Sequence, residues 1–172
     1  GVPQDYSQAL RYYKLAADQG YAPAQHNLAV MFSRGEGIPP DYSEALRYYK
    51  LAAEQGNAVS QYNLAVMYKT GQGVDQDYTE AIAYYKLASD QGYALAQYEL
   101  AAMYDNGRIV PRDYALALRY YTLAAGQGHA PAQYNLAVMY KEGQGVDQDS
   151  AEALRYYQLA SDQGYAPAQS DL

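Results

Sequence analysis

The chain has 172 residues, a net charge of −7 and 49% hydrophobic residues, with 23 tyrosines, one phenylalanine, no tryptophan and no cysteine. Its acidity disfavours nucleic acid or an anionic membrane as partner, since both require a basic footprint, and no apolar run approaches the roughly 20 residues that cross a bilayer. The missing cysteines exclude disulfides and thiolate metal sites; they are compatible with a cytoplasmic location without identifying the compartment.

One phrase organises the rest. Arg-Tyr-Tyr occurs at Arg11–Tyr13, Arg47–Tyr49, Arg119–Tyr121 and Arg155–Tyr157, with Ala83-Tyr84-Tyr85 in the remaining slot, at a constant spacing of 36 residues. A fixed period of this size marks a solenoid whose units each touch only their neighbours, so no central core is expected.

Val2-Pro3-Gln4-Asp5 is a connector that recurs as Ile38–Asp41, Val74–Asp77, Val110–Asp113 and Val146–Asp149. Its last residue is placed to cap a helix, and Asp41 with Glu44, Asp77 with Glu80 and Asp149 with Glu152 have capping-box spacing. Asp5 keeps it with Gln8, whereas Leu116 breaks it for Asp113, whose helix should fray more readily. Helices, here called B, are predicted at roughly 5–18, 41–54, 77–90, 113–126 and 149–162. In the second of them Ala45, Tyr49, Ala52 and Ala53 form the buried stripe, with Tyr42 and Tyr48 on its flanks. Leu51 recurs as Leu15, Leu87, Leu123 and Leu159, which suggests a contact between adjacent units. Gly20, Gly56, Gly92, Gly128 and Gly164 then end each B helix.

A second set, A, is predicted at roughly 23–34, 59–70, 95–106 and 131–142, with Pro23, Pro131 and Pro167 near the first turn. Ala24, Leu28, Met31 and Phe32 form the apolar face of the first, and Ala29, Ala65, Ala101 and Ala137 let A and B approach closely. Gly35, Gly71, Gly107 and Gly143 close the A helices. A second glycine follows at Gly37, Gly73 and Gly145, but Ile109 replaces it in the third unit, so that loop should take another path or expose an apolar side chain. The layout opens in the middle of a unit and stops in a stub, without the polar caps that a finite solenoid needs. It reads as a segment of a longer array, or else as a chain that polymerises end to end.

The phrases Ala-Gln-Tyr-Asn-Leu-Ala-x-Met-Tyr, Gly-x-Gly-Val and Ala-x-x-Tyr-Tyr-x-x-Ala-Ala resemble the Sel1-like repeat, a relative of the tetratricopeptide repeat. The resemblance covers the whole of residues 1–172 as one array, with a half-unit at 1–21, complete units at 22–57, 58–93, 94–129 and 130–165, and a stub at 166–172. It implies an all-α fold, an α/α right-handed superhelix of antiparallel helix pairs with A helices on the concave side and B helices on the convex side. It implies adaptor functions too, in signalling, in endoplasmic-reticulum-associated degradation or in bacterial contact with hosts. Two departures stand out: the family usually has glycine where Ala29, Ala65, Ala101 and Ala137 stand, and often tryptophan where this chain has Tyr12, Tyr48, Tyr84, Tyr120 and Tyr156.

Catalytic chemistry finds little support. Some relatives have been suggested to bind penicillin-type ligands, but no serine is followed by lysine in a Ser-x-x-Lys arrangement. His26 and His129 lie roughly three units apart, and no carboxylate–histidine cluster supplies a metal site or implies a cofactor. The side of helix A opposite its apolar face is a better candidate. One position there reads His26, Tyr62, Tyr98, Tyr134 and another Val30, Val66, Ala102, Val138. These tyrosines either line a peptide groove or pad the seam between neighbouring A helices. Asn27, Asn63 and Asn135, with Glu99 in the remaining slot, either hold a peptide backbone or bond a neighbouring unit's backbone. Lys69 and Lys141 flank Asp105, an alternation that argues against a clamp for a carboxylate terminus.

The expected function is a non-enzymatic interaction module that binds a peptide or protein segment on its concave face. The alternatives are a structural array that self-associates through its terminal helices and, remotely, a hydrolase-like or small-ligand-binding protein.

Overall fold

Ten helices carry residues 6–171, the part of the chain that the computed structural model describes. They are α1 (Tyr6–Asp18), α2 (Ala22–Arg34), α3 (Tyr42–Glu54), α4 (Ala58–Thr70), α5 (Tyr78–Asp90), α6 (Ala94–Asn106), α7 (Tyr114–Gly126), α8 (Ala130–Glu142), α9 (Ser150–Asp162) and α10 (Ala166–Asp171). Odd-numbered helices are the B set and even-numbered ones the A set; among the described residues there is no strand. The chain divides into two compact units, 1–88 and 89–172, with the boundary inside α5. In the first, α2 packs against α1 and α3, and α3 against α4. In the second, α6 packs against α7, α7 against α8, α8 against α9, and α9 against α10.

Small residues set the spacing of these layers. Ala29 and Ala65 on the A helices and Ala45, Ala52 and Ala81 on the B helices are fully buried, as are Ala101, Ala137, Ala117 and Ala124 in the second unit. Between them Leu28, Leu64, Leu100 and Leu136 supply most of the aliphatic bulk. The aromatic contribution is regular. Phe32 stacks on Tyr48 with centroids 5.9 Å apart and planes within 6°, and Tyr68–Tyr84, Tyr104–Tyr120 and Tyr140–Tyr156 repeat the arrangement. This offset pairing of the last A-helix ring with the first tyrosine of the B-helix Tyr-Tyr pair favours the contact beyond the area it buries. It also moves Tyr48 from the expected flank into the core, at 5% exposure, whereas Tyr12, at the same position of α1, is 65% exposed.

Arg47 lies over Tyr48 at 4.0 Å and holds Glu44 with two hydrogen bonds, which extends the stack to four residues. Arg155 repeats this with Glu152 and Tyr156 at 4.1 Å. In α7 the acid is replaced by Leu116, and Arg119 sits 5.9 Å from Tyr120.

The aspartate caps form, but only half of the capping box does. Asp41 accepts from Glu44 N, Asp77 from Thr79 N and Glu80 N, and Asp149 from Ala151 N and Glu152 N. The reciprocal arm is pre-empted, because the N–H groups of Asp41, Asp77, Asp113 and Asp149 donate to Phe32 O, Tyr68 O, Tyr104 O and Tyr140 O of the preceding A helix. Leu116 therefore leaves the cap of α7 in place: Asp113 accepts from Leu116 N at 2.9 Å. Asp5 lies outside the described residues.

The recurrent leucine is largely exposed. Leu15, Leu87, Leu123 and Leu159 are exposed by 39 to 53%, while Leu51 packs on a core cluster that includes Leu64 and Met67 of the next repeat. Ile109 does redirect its loop. Among the described residues none other than glycine has a positive φ, so Ile109 does not copy the left-handed turn of Gly37, Gly73 and Gly145; instead Arg108 N bonds Asn106 Oδ1 at 3.0 Å.

Gly73 and Gly56 separate two reasons for glycine. Both have φ above +70°, but a Cβ on Gly73 would stand 2.6 to 2.9 Å from Tyr42, while one on Gly56 would meet nothing within 4 Å. Gly56→Ala is expected to cost about 1–2 kcal/mol from the left-handed conformation alone. Gly73→Ala adds an overlap of about 1–3 kcal/mol. Urea midpoints measure the difference, and equal midpoints would remove the close approach as a cause.

Candidate functional site

The A helices present the candidate residues through the same register that buries Leu28 and its equivalents. In the first unit His26, Asn27, Tyr62, Asn63 and Lys69 are all half-buried. His26 Nδ1 lies 2.9 Å from Ser60 Oγ, and its ring is 5.9 Å from that of Tyr49. Tyr62 tilts against Tyr85 at 5.7 Å, and Lys69 Nζ lies 6.0 Å from the Tyr85 centroid. Burial, with a smaller contribution from Arg34, pushes the His26 imidazole below its ordinary pKa.

In the second unit Tyr98 lies between two rings, Tyr121 at 5.9 Å and His129 at 4.7 Å. Tyr134 does the same between Tyr157 at 5.6 Å and Tyr165 at 5.5 Å. Tyr134 Oη also donates to Asp171 Oδ2 at 2.8 Å, and chiefly for that reason its pKa is pushed up to about 12. Asn135 Nδ2 donates to Tyr121 Oη at 2.9 Å, and Tyr121 Oη donates to Asp105 Oδ2 at 3.3 Å. The asparagine thus meets a neighbouring unit's side chain, where its backbone was expected. Burial raises the pKa of both Tyr121 and Asp105; for Asp105 the Tyr121 bond and Arg112 oppose that rise and Glu142 adds to it. Lys141 Nζ lies 5.8 Å from the Tyr157 centroid. Glu99 is half-buried and acts on the charge of His129.

The polar skeleton beneath this face was not legible as a site. Gln25, Gln61, Gln97 and Gln133 are buried, and each Nε2 donates to a B-helix carbonyl eight residues earlier: Ala17, Ala53, Ser89 and Ala125. Gln25, Gln97 and Gln133 also accept at Oε1 from Gln55, Gln127 and Gln163, each at 2.7 Å. Their recurrence every 36 residues was the available signal. The His26–Ser60 pair had one as well, because Ser60 stands where Ala24, Ala96, Ala132 and Ala168 stand.

Among the described residues no three His, Asp or Glu side chains converge on a metal position, and no helix is long and apolar enough to cross a membrane. Cavities of about 160 Å³ beside Tyr13 and Asn27 and about 190 Å³ beside Lys141 and Tyr157 are below the several hundred Å³ of a ligand pocket. A hollow of about 550 Å³ at Ala16, Gln19, Gly20 and Tyr21 is open to solvent.

Capped helical hairpins repeated at constant length, joined by aromatic stacks and buried amides, define a tandem-repeat scaffold. The Sel1 repeat profile matches residues 1–21, 22–57, 58–93, 94–129 and 130–165, and the chain belongs to the Sel1 repeat family. It is similar to the crystal structure of a protective antigen present in uropathogenic Escherichia coli strains, at 37% identity and a TM-score of 0.93, covering 96% of this chain and 36% of that one. It is also similar to a Sel1 repeat protein from Oxalobacter formigenes, at 33% identity and a TM-score of 0.83, covering 92% of this chain and 63% of the other. An immunity protein from Pseudomonas aeruginosa follows at 27% identity and a TM-score of 0.62, covering 98% and 61%. The chain thus spans about a third and just under two thirds of the first two. No curated protein matches it. Sel1 repeats are a protein-interaction fold, generally non-catalytic, and their structural neighbours are helical solenoids.

The histidines make the fold acid-sensitive in a defined direction. His129 Nδ1 accepts from Ala132 N, so the neutral imidazole caps α8, and burial holds its pKa below 6.5. A lowered folded-state pKa means that stability is complete above pH 6.5 and falls as the pH drops through that value. His129→Asn, which copies the cap that Asn57 makes to Ser60 N, should keep the helix start and shrink the loss of urea midpoint between pH 7 and 5. An unchanged loss would exclude His129 as its source.

Proposed function

We propose that this chain is a non-enzymatic interaction module that captures an extended or helical protein segment on the A-helix face of its repeats. Each unit offers its own contacts: Tyr62 beside Val66 in the first, with Asn27 and Asn63 as polar partners, and Tyr98 and Tyr134 beside Ala102 and Val138 in the second, with Asn135. The supporting observation is that each of these tyrosines is half-buried and fixed by ring contacts from below, while part of its surface stays open. A ring already immobilised loses little entropy when a partner covers it, which is the condition for an interface anchor.

A second reading, self-association, rests on Tyr12 and Leu15 of α1 and Leu154 of α9, all more than half exposed. Light scattering across a concentration series separates the two, since a strictly monomeric chain sinks self-association.

For the first reading, the triple variant Tyr62→Ala, Tyr98→Ala, Tyr134→Ala is compared with Gly56→Ala, a destabilised variant that leaves the face intact. Helicity and capture of partners are measured together. The triple variant should lose capture by at least about 30-fold, the scale of a hot-spot residue, while Gly56→Ala keeps it. Capture retained by the triple variant would remove the A-helix face from the interaction.

A further inference from the structure

The third repeat treats one position differently from its neighbours. In the second and fourth repeats that position is lysine, and Lys69 and Lys141 carry their ammonium groups 6.0 and 5.8 Å from the centroids of Tyr85 and Tyr157. These rings are the second tyrosine of the Tyr-Tyr pair in the following B helix, so the fold places a cation at the same point twice. In the third repeat the equivalent ring is Tyr121, and the residue above it is Asp105. Asp105 is half-buried and accepts from Tyr121 Oη, which in turn accepts from Asn135 Nδ2. The place of an internal ammonium is thus taken by a carboxylate, anchored at one oxygen to Tyr121, whose ring lies 5.9 Å from that of the half-exposed Tyr98.

We propose that this position in the second unit receives a lysine or arginine side chain from the captured segment, which supplies the cation that the neighbouring repeats carry themselves. The inference rests on the A-helix face as an interaction surface and assigns its occupant: a basic peptide segment. Charge complementarity selects it. Residues 89–172 hold ten Asp and Glu (90, 99, 105, 113, 142, 147, 149, 152, 162 and 171) against five Lys and Arg (108, 112, 119, 141 and 155). Glu142 adds negative potential at Asp105 itself, and Arg112, the cation that opposes it there, is already engaged with Tyr114 Oη and Asn106 O. An incoming cation would satisfy a partly desolvated carboxylate and lie against aromatic surface, a combination in which both contacts favour it. Arginine and lysine differ in fit, since only the guanidinium can pair with the carboxylate in two places.

The probe is a fluorescein-labelled octalysine, with octaarginine and octaglutamate in parallel, titrated with the whole chain by fluorescence anisotropy at about 100 mM salt, where screening leaves close charge pairs readable. Three variants decide the matter. Asp105→Asn removes the charge, Asp105→Lys installs the residue of the neighbouring repeats, and Asp147→Asn removes an equal charge from an exposed loop. Binding of the two cationic peptides should weaken about tenfold in Asp105→Asn and be abolished in Asp105→Lys, change less than about twofold in Asp147→Asn, and be absent for octaglutamate. Equal weakening by Asp105→Asn and Asp147→Asn would mean that only net charge is being read and would overturn the proposal, as would no change at Asp105. Circular dichroism of Asp105→Lys checks folding, and Asp105→Asn keeps an amide oxygen for Tyr121 should that variant unfold. Partner capture that depends on Tyr98 but not on Asp105 would remove the cation site and leave the interaction face standing; independence from Tyr98 strikes at the face itself.

Discussion

The buried glutamine of α2, α4, α6 and α8 is the constraint on which the repeat geometry depends. Its amide nitrogen reaches back eight residues to a carbonyl in the last turn of the preceding B helix, and in three repeats its oxygen accepts from a glutamine 30 residues ahead. One side chain therefore ties three successive helices at their ends, as a second donor to a carbonyl that already accepts from the N–H of Gly20, Gly92 or Gly128. A buried amide is costly when unpaired and worth about 1 kcal/mol net when paired, so this network acts more through specificity than through bulk stability. An insertion between Ala17 and Gln25, or between Gln25 and Gln55, would break it. The constant period of 36 residues keeps these partners in register.

Where sequence reasoning succeeded, the signal was local. Aspartate caps and left-handed glycines placed the helix ends to within about one residue, because both act on the backbone beside them. Where it failed, the deciding group was remote in sequence. Tyr48 is buried by Phe32, sixteen positions earlier, and the reciprocal half of the capping box is lost because Asp41 N prefers Phe32 O. The glutamines were passed over because an apolar stripe leaves out polar residues. Recurrence alone did not reveal how far Leu15 and Leu123 are exposed. At the A-helix face the residues were legible and their contacts were not, since no periodicity reveals that the nearest partner of Asn135 is the Tyr121 hydroxyl.

The departures of the third repeat act on different levels. Ile109 changes a loop path, Leu116 loosens the arginine on an aromatic stack without touching the cap, and Asp105 reverses a charge on the open face. The second is absorbed by the scaffold at small cost, because surface ion pairs contribute at most about 1 kcal/mol. The third alters what the surface can attract. A stack of near-identical units gains an address in this way: the frame repeats, and single substitutions on its open side distinguish one segment of the array from the next.

The His26–Ser60 bond carries the same idea into the lineage of such arrays. Tandem genes lengthen and shorten by unequal exchange, which treats their copies as interchangeable. Here two adjoining copies are mated, imidazole to hydroxyl, where the corresponding slots elsewhere hold tyrosine and alanine. Deleting or transposing either copy alone would strand a fully buried hydroxyl or face the imidazole with a methyl group. That pairing makes the contact between these two repeats specific to its order, because neither side chain finds its complement in the equivalent positions.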